Sequence, residues 1–385
     1  MSNAVCKLLG IDLPILQAGM GRTQGTPTPP ALVAAVSNAG GMGCLGGVGL
    51  EPDQLRRAIR EIRALTPKPF SVDLLLPARL ADSPPGRDDI RRALREKYPR
   101  HWQFVQSLYA KFALPQRPME KAGLLSSDFI RAQVEVVLDE RVPVFVAGLG
   151  DASWVIKDRR AREMKTIGLA GSVRNALRQK EAGVHAVIAQ GYEAGGHTGT
   201  VANFALIPQV VDAVAPLPVL GAGAISDRRG VAAALALGAQ GVWIGTAFMF
   251  AKEADIPETH RRQLEAARSE DFVVSRAYTG KTARTFKNQV MEAWTASGLD
   301  PLPTPYQWVL MDDFVAAAEA ADRQELVNLP AGQGAGMLNR RRPAREIVAE
   351  LASGLPSRPS GTSRARRGAR RARRASPRSG SRRAR

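Results

Sequence analysis

The sequence predicts an α/β fold: a closed (β/α)8 barrel of the TIM type, with a helical insertion after the third strand and a C-terminal helical extension. Three observations carry this. Eight short apolar runs recur along the chain, near residues 15, 43, 72, 145, 167, 187, 219 and 243. The stretches between them carry helix signals, and a regular β-α alternation implies a parallel sheet with crossover helices. Several runs end in glycine turns, and eight such repeats suit a closed barrel better than an open sheet. Composition agrees. Of 385 residues 44% are hydrophobic and only 5% aromatic, which supports a large core rich in Ala, Val, Leu and Gly.

Residues 13–21, LPILQAGMG, read as a first buried strand running into a glycine turn. Thr28 is the expected cap of a helix with Pro29 at its first position, which Gly40 and Gly41 stop. The second strand is expected at 42–46. Glu51-Pro52-Asp53 opens a helix whose apolar positions Leu55, Ile59, Ile62 and Leu65 recur at helical spacing. Residues 69–76 form the third strand, so that residues 1–76 and 143–252 supply the barrel. Residues 77–142 break the rhythm. They are charged, carry Trp102 and Phe104, and read as two or three helices, too long for a standard crossover and expected to cover the barrel mouth. Strands at 143–148 and 165–169 restore the alternation. They are followed by a helix at 172–182 capped by Ser172, the strand beginning at Ala186, a helix at 206–214, a strand at 217–222, a helix at 229–237 and a last strand at 241–244. Residues 253–354 add further helices and loops, with AGQGAGM expected as a glycine loop. Residues 355–385 lack apolar periodicity and are expected to be a disordered Arg-rich tail.

The net charge of +18 would suggest a nucleic-acid or membrane-surface binder, but its distribution argues otherwise. Residues 357–385 hold twelve arginines and no acidic residue, and without them the charge is +6. No aromatic residues interleave with these arginines and no recognition motif accompanies them, so the tail reads as a solvated extension rather than a nucleic-acid interface. Cys6 and Cys44 are not metal-spaced, and no His pairs with another at i, i+4, so no metal site is predicted. No signal peptide is visible and no apolar stretch approaches the roughly 20 residues of a membrane span. A soluble, cytoplasmic protein without membrane partners is the expectation.

Chemistry concentrates in residues 186–200, AVIAQGYEAGGHTGT. An apolar strand gives way to Gln190, Glu193, the pair Gly195-Gly196, and His197. In a parallel barrel the C-terminal strand ends are where reactions take place, and glycines let backbone approach a ligand closely. A histidine directly after such a pair is a candidate active-site group; His101, His185 and His260 have no comparable setting, and His185 reads as structural. Glu193 reads as a loop-fixing acceptor more than a base. Two further glycine turns, Gly221-Ala222-Gly223 and Gly245-Thr246, follow the last two strands, where barrels commonly bind a phosphate through backbone N–H groups.

With these residues in view, the sequence resembles nitronate monooxygenases. The shared motifs are QAGMG at 17–21, AGGMGCLGG at 39–47, QGYEAGGHTG at 190–199, GAGAISDRRGVAAALALGAQGVWIGTAF at 221–248 and TGKTAR at 279–284. The resemblance implies an FMN-dependent barrel that oxidises alkyl nitronates with O2 to carbonyl compounds and nitrite. It places Ala18, Gly19 and Met20 against the flavin ring, Gln190, Gly195 and Gly196 in contact with FMN, and Gly221, Ala222, Gly223, Gly245 and Thr246 around its phosphate. His197 matches the active-site histidine, which accepts the α-proton of a nitroalkane or hydrogen-bonds the nitronate oxygens. Lys281 and Arg284 are candidates for the substrate mouth or the phosphate, and Gln333 for an approach to the flavin from the C-terminal segment. The third-strand position that is often Asn in the family is Asp73 here. An ionised Asp only accepts hydrogen bonds and would disfavour a reduced, anionic flavin. The same superfamily includes NAD(P)H-dependent flavin reductases acting on quinones or enoyl thioesters, the alternative activity.

Overall fold

The computed structural model describes residues 3–21, 26–76, 86–116 and 126–356. Eight strands, β1 (Ile15–Gln17), β2 (Cys44–Gly46), β3 (Ser71–Leu76), β4 (Val144–Gly150), β5 (Lys165–Ala170), β6 (Ala186–Gln190), β8 (Val219–Ala222) and β9 (Gly241–Ile244), form one parallel sheet. The order is β1-β9-β8-β6-β5-β4-β3-β2. A parallel bridge between Leu16 and Met42 brings the two ends of that order together. The Gln17 carboxamide completes the seam: it accepts from the Cys44 N–H at 3.0 Å and donates to the Cys44 carbonyl at 3.1 Å. Between them β7 (Gly196–His197) pairs antiparallel with β11 (Ala283–Phe286), which pairs antiparallel with β10 (Phe272–Ser275).

Alternation along the strands explains the core. Leu16, Val146, Ile188, Leu220 and Trp243 point inward and fill the barrel. The helix Ala4–Leu9, which no sequence signal had suggested, adds Val5 and Leu9 to that cluster. Its Asn3 cap donates to the carbonyl of Gln240, just before β9, so the helix plugs the N-terminal end of the barrel. Ile15, Val72, Phe145, Val187 and Val242 point outward under the helices.

A second cluster forms beside the barrel from the helices Arg87–Lys97, Pro99–Lys111, Gln289–Ser297 and Tyr306–Ala320. The third helix of the 77–142 stretch, Ser127–Asp139, instead packs Ile130, Val134 and Val137 into the barrel's shell. Its apolar stripe faces the sheet, so it is the crossover helix between β3 and β4, and the inserted part is shorter than the sequence suggested.

Other expectations need correcting. Thr28 does not cap a helix; the helix is Pro30–Asn38 with Pro29 at the cap. The buried Thr28 hydroxyl instead accepts from the Gly46 N–H at 2.9 Å and meets Thr26. Leu65 ends its helix 47% exposed, because the apolar stripe has run past the sheet. AGQGAGM is not a plain loop: Gln333–Met337 is a 3-10 helix. The 253–354 extension contains the β10–β11 hairpin as well as helices. The Arg-rich tail from residue 357, and residues 77–85 and 117–125 of the insertion, lie outside the described residues. No helix among the described residues is long and apolar enough to cross a membrane.

Candidate active site

A cavity of about 340 Å³ opens at the C-terminal ends of the strands, within the range of small-molecule sites. Ala18, Gly19 and Met20 follow β1 along its wall. Asp73 from β3, Gly148 from β4, Gln190 from β6 and Ala222 from β8 line it in turn, followed by Gly223, Gly245 and Thr246. Gly195, Gly196 and His197 cover one side. Gly221 is the exception among the expected positions. A side chain there would meet Ala234 and Ile207, so it faces the helices and not the cavity. The reason is the strand's alternation: inward Leu220 and Ala222 flank it. The roof comes from the extension, with Tyr278, Trp308, Met311 and Val315, and His260 joins the wall. Sequence reading missed these roof residues and set His260 aside; no local motif marks them.

The loop bearing His197 is held rigidly. Both carboxylate oxygens of Glu193 accept from the Asn203 N–H at 3.1 Å, so this group fixes the loop. Gln190 donates to the carbonyl of His197 at 2.7 Å. A Cβ on Gly195 would lie 2.5 Å from the carbonyl carbon of Ala331, whereas one on Gly196, at φ +71, would have nothing within 4 Å. One glycine is thus required by packing, the other by its left-handed backbone beside open cavity. β11 fixes the height of the loop by pairing Ala283 with His197.

Arg284 belongs to this scaffold and does not face the substrate mouth or a phosphate. It is 2% exposed, donates to the carbonyls of Phe272 at 2.6 Å and Tyr192 at 2.9 Å, and lies over the Tyr192 ring. A cation is retained there because carbonyls and an aromatic face surround it. Gln333 is absent from the cavity wall, although Gly332 and Gly334 on either side reach it. Its N–H donates to the carbonyl of Glu193, which ties the C-terminal segment to the same loop.

His197 is solvent-exposed on the cavity wall, with protein on the sides away from the cavity's open space. Burial first, and the nearby Lys281 charge second, push its pKa down to about 4. The imidazole is therefore neutral at physiological pH. Its Nε2 lies 3.4 Å from the Thr279 hydroxyl, which donates to the Lys281 carbonyl at 3.2 Å. Burial also lowers the pKa of Lys281. His185 is structural: its Nδ1 accepts from the Thr166 N–H at 3.0 Å. His101 meets the carbonyl of Asp300 at the surface.

Asp73 sits deepest. Its Oδ1 is sealed from water and without a hydrogen-bond partner, and burial raises its pKa well above that of an ordinary carboxylate. Among the described residues, no Lys or Arg lines the cavity. The site therefore combines a glycine-walled end, a carboxyl whose pKa is raised and, on the loop, an imidazole whose pKa is lowered.

Comparison with known proteins agrees with this architecture. The family model for nitronate monooxygenase matches residues 2–354. A putative monooxygenase of Mycobacterium tuberculosis is 37% identical over 367 residues, covering 91% of this chain and 96% of its own. A probable nitronate monooxygenase of Staphylococcus aureus is 32% identical over 361 residues, with the same coverage of both. Among solved structures, a nitroalkane oxidase from Streptomyces ansochromogenes superposes with a TM-score of 0.76 at 31% identity, covering 91% of this chain and 98% of that one. FabK from Thermotoga maritima gives 0.71 at 29%, covering 92% and 96%. A barrel with this loop-borne histidine, matched by the family model and by relatives along nearly its whole described length, is an enzyme, and the chain belongs to the nitronate monooxygenase family.

Proposed function

We propose that the protein is an FMN-dependent monooxygenase that oxidises alkyl nitronates with O2 to carbonyl compounds and nitrite. The observation that carries this reading is the His197 imidazole, presented to the cavity by the glycine loop, with the Lys281 charge near enough to lower its pKa. That pair suits an anionic substrate. A nitronate carries its negative charge on two oxygens, which an imidazole N–H can bind and a nearby positive charge favours.

The fit of a flavin is supported by three features. The cavity has the size of a cofactor site. Gly196 and Gly245 leave space where side chains would otherwise intrude. Asp73 offers a buried polar atom with nothing in the protein to meet it. Ala18, Gly19 and Met20 would lie against the ring and Gln190, Gly195 and Gly196 would contact the cofactor. Backbone groups at Ala222, Gly223, Gly245 and Thr246 would hold its phosphate, because no cationic side chain lines the wall among the described residues. Bound FMN would supply the electron exchange with substrate and O2. The protein's own task is to seat the substrate, exclude bulk water under Tyr278 and Trp308, and stabilise its charge.

A base whose pKa is near 4 removes protons poorly at neutral pH. His197 therefore binds and orients an already ionised nitronate better than it deprotonates a neutral nitroalkane. The test is the visible spectrum of the purified protein, followed by anaerobic addition of an alkyl nitronate, its parent nitroalkane and NADH in separate cuvettes. Fast bleaching by the nitronate, with slower bleaching by the nitroalkane, is expected. Bleaching by NADH and not by the nitronate would replace this reading with the NAD(P)H-dependent reductase.

A further inference from the structure

We propose that Asp73 works in this enzyme as a neutral carboxylic acid, donating a hydrogen bond to an acceptor atom of the bound flavin as a carboxamide would from the same place. The proposal rests on the FMN reading above and adds a role that the residue type alone argues against.

Geometry is the first support. β3 turns Asp73 into the barrel mouth, where two glycines grip it. A Cβ on Gly148 would lie 2.5 Å from Oδ1, and one on Gly19 would lie 2.5 Å from the Asp73 Cβ. The carboxyl is thus gripped between the backbone at Gly19 and Gly148, with its open side on the cavity. Its Oδ1 lacks a protein partner. The residue as a whole is only partly buried and lines the cavity, so the rest of the carboxyl faces the space a ligand would fill.

The charge around it is the second support. Among the described residues Asp73 makes no ion pair, and no Lys or Arg lines the cavity. The elements packed against β3 offer no compensation. β1 and β4 present backbone at Gly19 and Gly148, and β2 presents the buried Cys44 thiol. That thiol is pushed up chiefly by its own burial, so it too keeps its proton and offers no positive charge. The other titratable residues of the cavity wall are His197, His260, Tyr278, Asp312 and Glu319, none of them a permanent cation. Against this, the Gly148 amide is the one group that favours the carboxylate, and burial outweighs it. A buried carboxyl with no cation keeps its proton rather than bear the cost of an unsolvated charge.

Chemistry then follows from the protonation state. A carboxylate can only accept, whereas a carboxylic acid has one O–H to give and a carbonyl oxygen left over. A carboxyl held neutral in an apolar site is a known way to build a hydrogen-bond donor. The protein thereby places a donor beside the flavin without setting a negative charge next to it. Sequence reasoning had expected that charge to oppose flavin reduction.

The experiment uses the full chain stripped of flavin, in wild-type, Asp73→Asn and Asp73→Ala forms. FMN affinity is followed by fluorescence titration from neutral to alkaline pH. Infrared difference spectra between wild type and Asp73→Asn at neutral pH report the carboxyl directly. The expected results are a protonated-carboxyl carbonyl band that only wild type shows, and Asp73→Asn binding within about threefold of wild type at neutral pH. Asp73→Ala should bind about tenfold more weakly. The ratio of wild-type to Asp73→Asn affinity should fall as the pH rises, because wild type loses its donor and the amide does not. A carboxylate band in place of the acid band overturns the proposal, as does equal FMN affinity of all three forms across the pH range. If the acid band is present but no form binds FMN, the flavin reading fails and takes the donor role with it. The surviving band distinguishes that failure from the others.

Discussion

Lys281 and His197 show how two side chains set one pH dependence. Burial and the Lys281 ammonium together hold the imidazole neutral down to about pH 4. A histidine in the unfolded chain takes its proton near pH 6.5. As the pH falls from there toward 4, the unfolded state gains a proton that the folded state refuses, so this residue lowers stability across that window and no further below it. The same sign applies to function. If the neutral imidazole is required, the acid limb of kcat/KM lies low, near its folded pKa. In Lys281→Met the smaller of the two causes is removed, so the limb moves upward, toward the ordinary histidine value without reaching it. KM for an anionic substrate should rise in the same variant, because a positive charge has left the mouth. A limb that stays in place would show that Lys281 does not act on His197. His197 itself was legible in the sequence from the Gly-Gly-His context. Its protonation was not, because Lys281 is a residue of another segment and burial has no local signature.

Elements rather than single residues carry the active-site loop. The eight strands could be read from the chain because each is a short apolar run closed by a turn, the pattern of a sheet covered on both faces. The β10–β11 hairpin could not. FVVS and ARTF are four residues each, and five of their eight positions are only partly buried. Yet this hairpin sets the register of His197, and Arg284 within it locks the Tyr192 turn. Arg284→Met keeps an apolar stem of similar length and removes the guanidinium. The carbonyls of Tyr192 and Phe272 then lose charged donors inside the protein. We expect a stability loss of about 2 kcal/mol or more, seen as a shifted denaturation midpoint. Residual activity should fall more than the folded fraction does, because the loop behind Gly196 loses its anchor. A variant as stable and as active as wild type would mean that the β7–β11 pairing suffices by itself. Gly221 makes the complementary point. Its motif was legible and its place in the strand correct, but alternation turned it to the helices, where sequence alone could not choose the face.

At the scale of the whole molecule, the cavity is shared between two cores that the sequence presents as unrelated stretches. The barrel core surrounds its floor. The roof belongs to the second cluster, through the helix Tyr306–Ala320, which buries Leu310 and Phe314 in that cluster while Trp308, Met311 and Val315 reach the cavity. The inserted helix Arg87–Lys97 holds this roof helix by charge. Arg91 makes a two-pronged bond to Asp313, Nε to Oδ2 at 2.9 Å and Nη2 to Oδ1 at 2.8 Å, and Arg87 meets Asp312. These partners stand 222 residues apart in the case of Arg91 and Asp313, which is why composition marked the insertion as charged without showing what the charges are for. Both side chains of that pair are mostly buried, at 14% and 11% exposure. Removing one member of a buried pair costs more than removing both, since the survivor keeps its desolvation penalty. Arg91→Met should therefore lower stability by about 3 kcal/mol, while Arg91→Met with Asp313→Leu should recover most of it. The functional readout separates clamp from ballast. If the pair positions the roof, the single variant raises KM with kcat little changed, because neither residue touches the loop that bears His197. The double variant, stable again but with the two-pronged bond gone, should keep the raised KM. A double variant with wild-type KM would show that the roof helix is seated by apolar packing alone, and that the inserted helices stabilise the molecule without shaping its site.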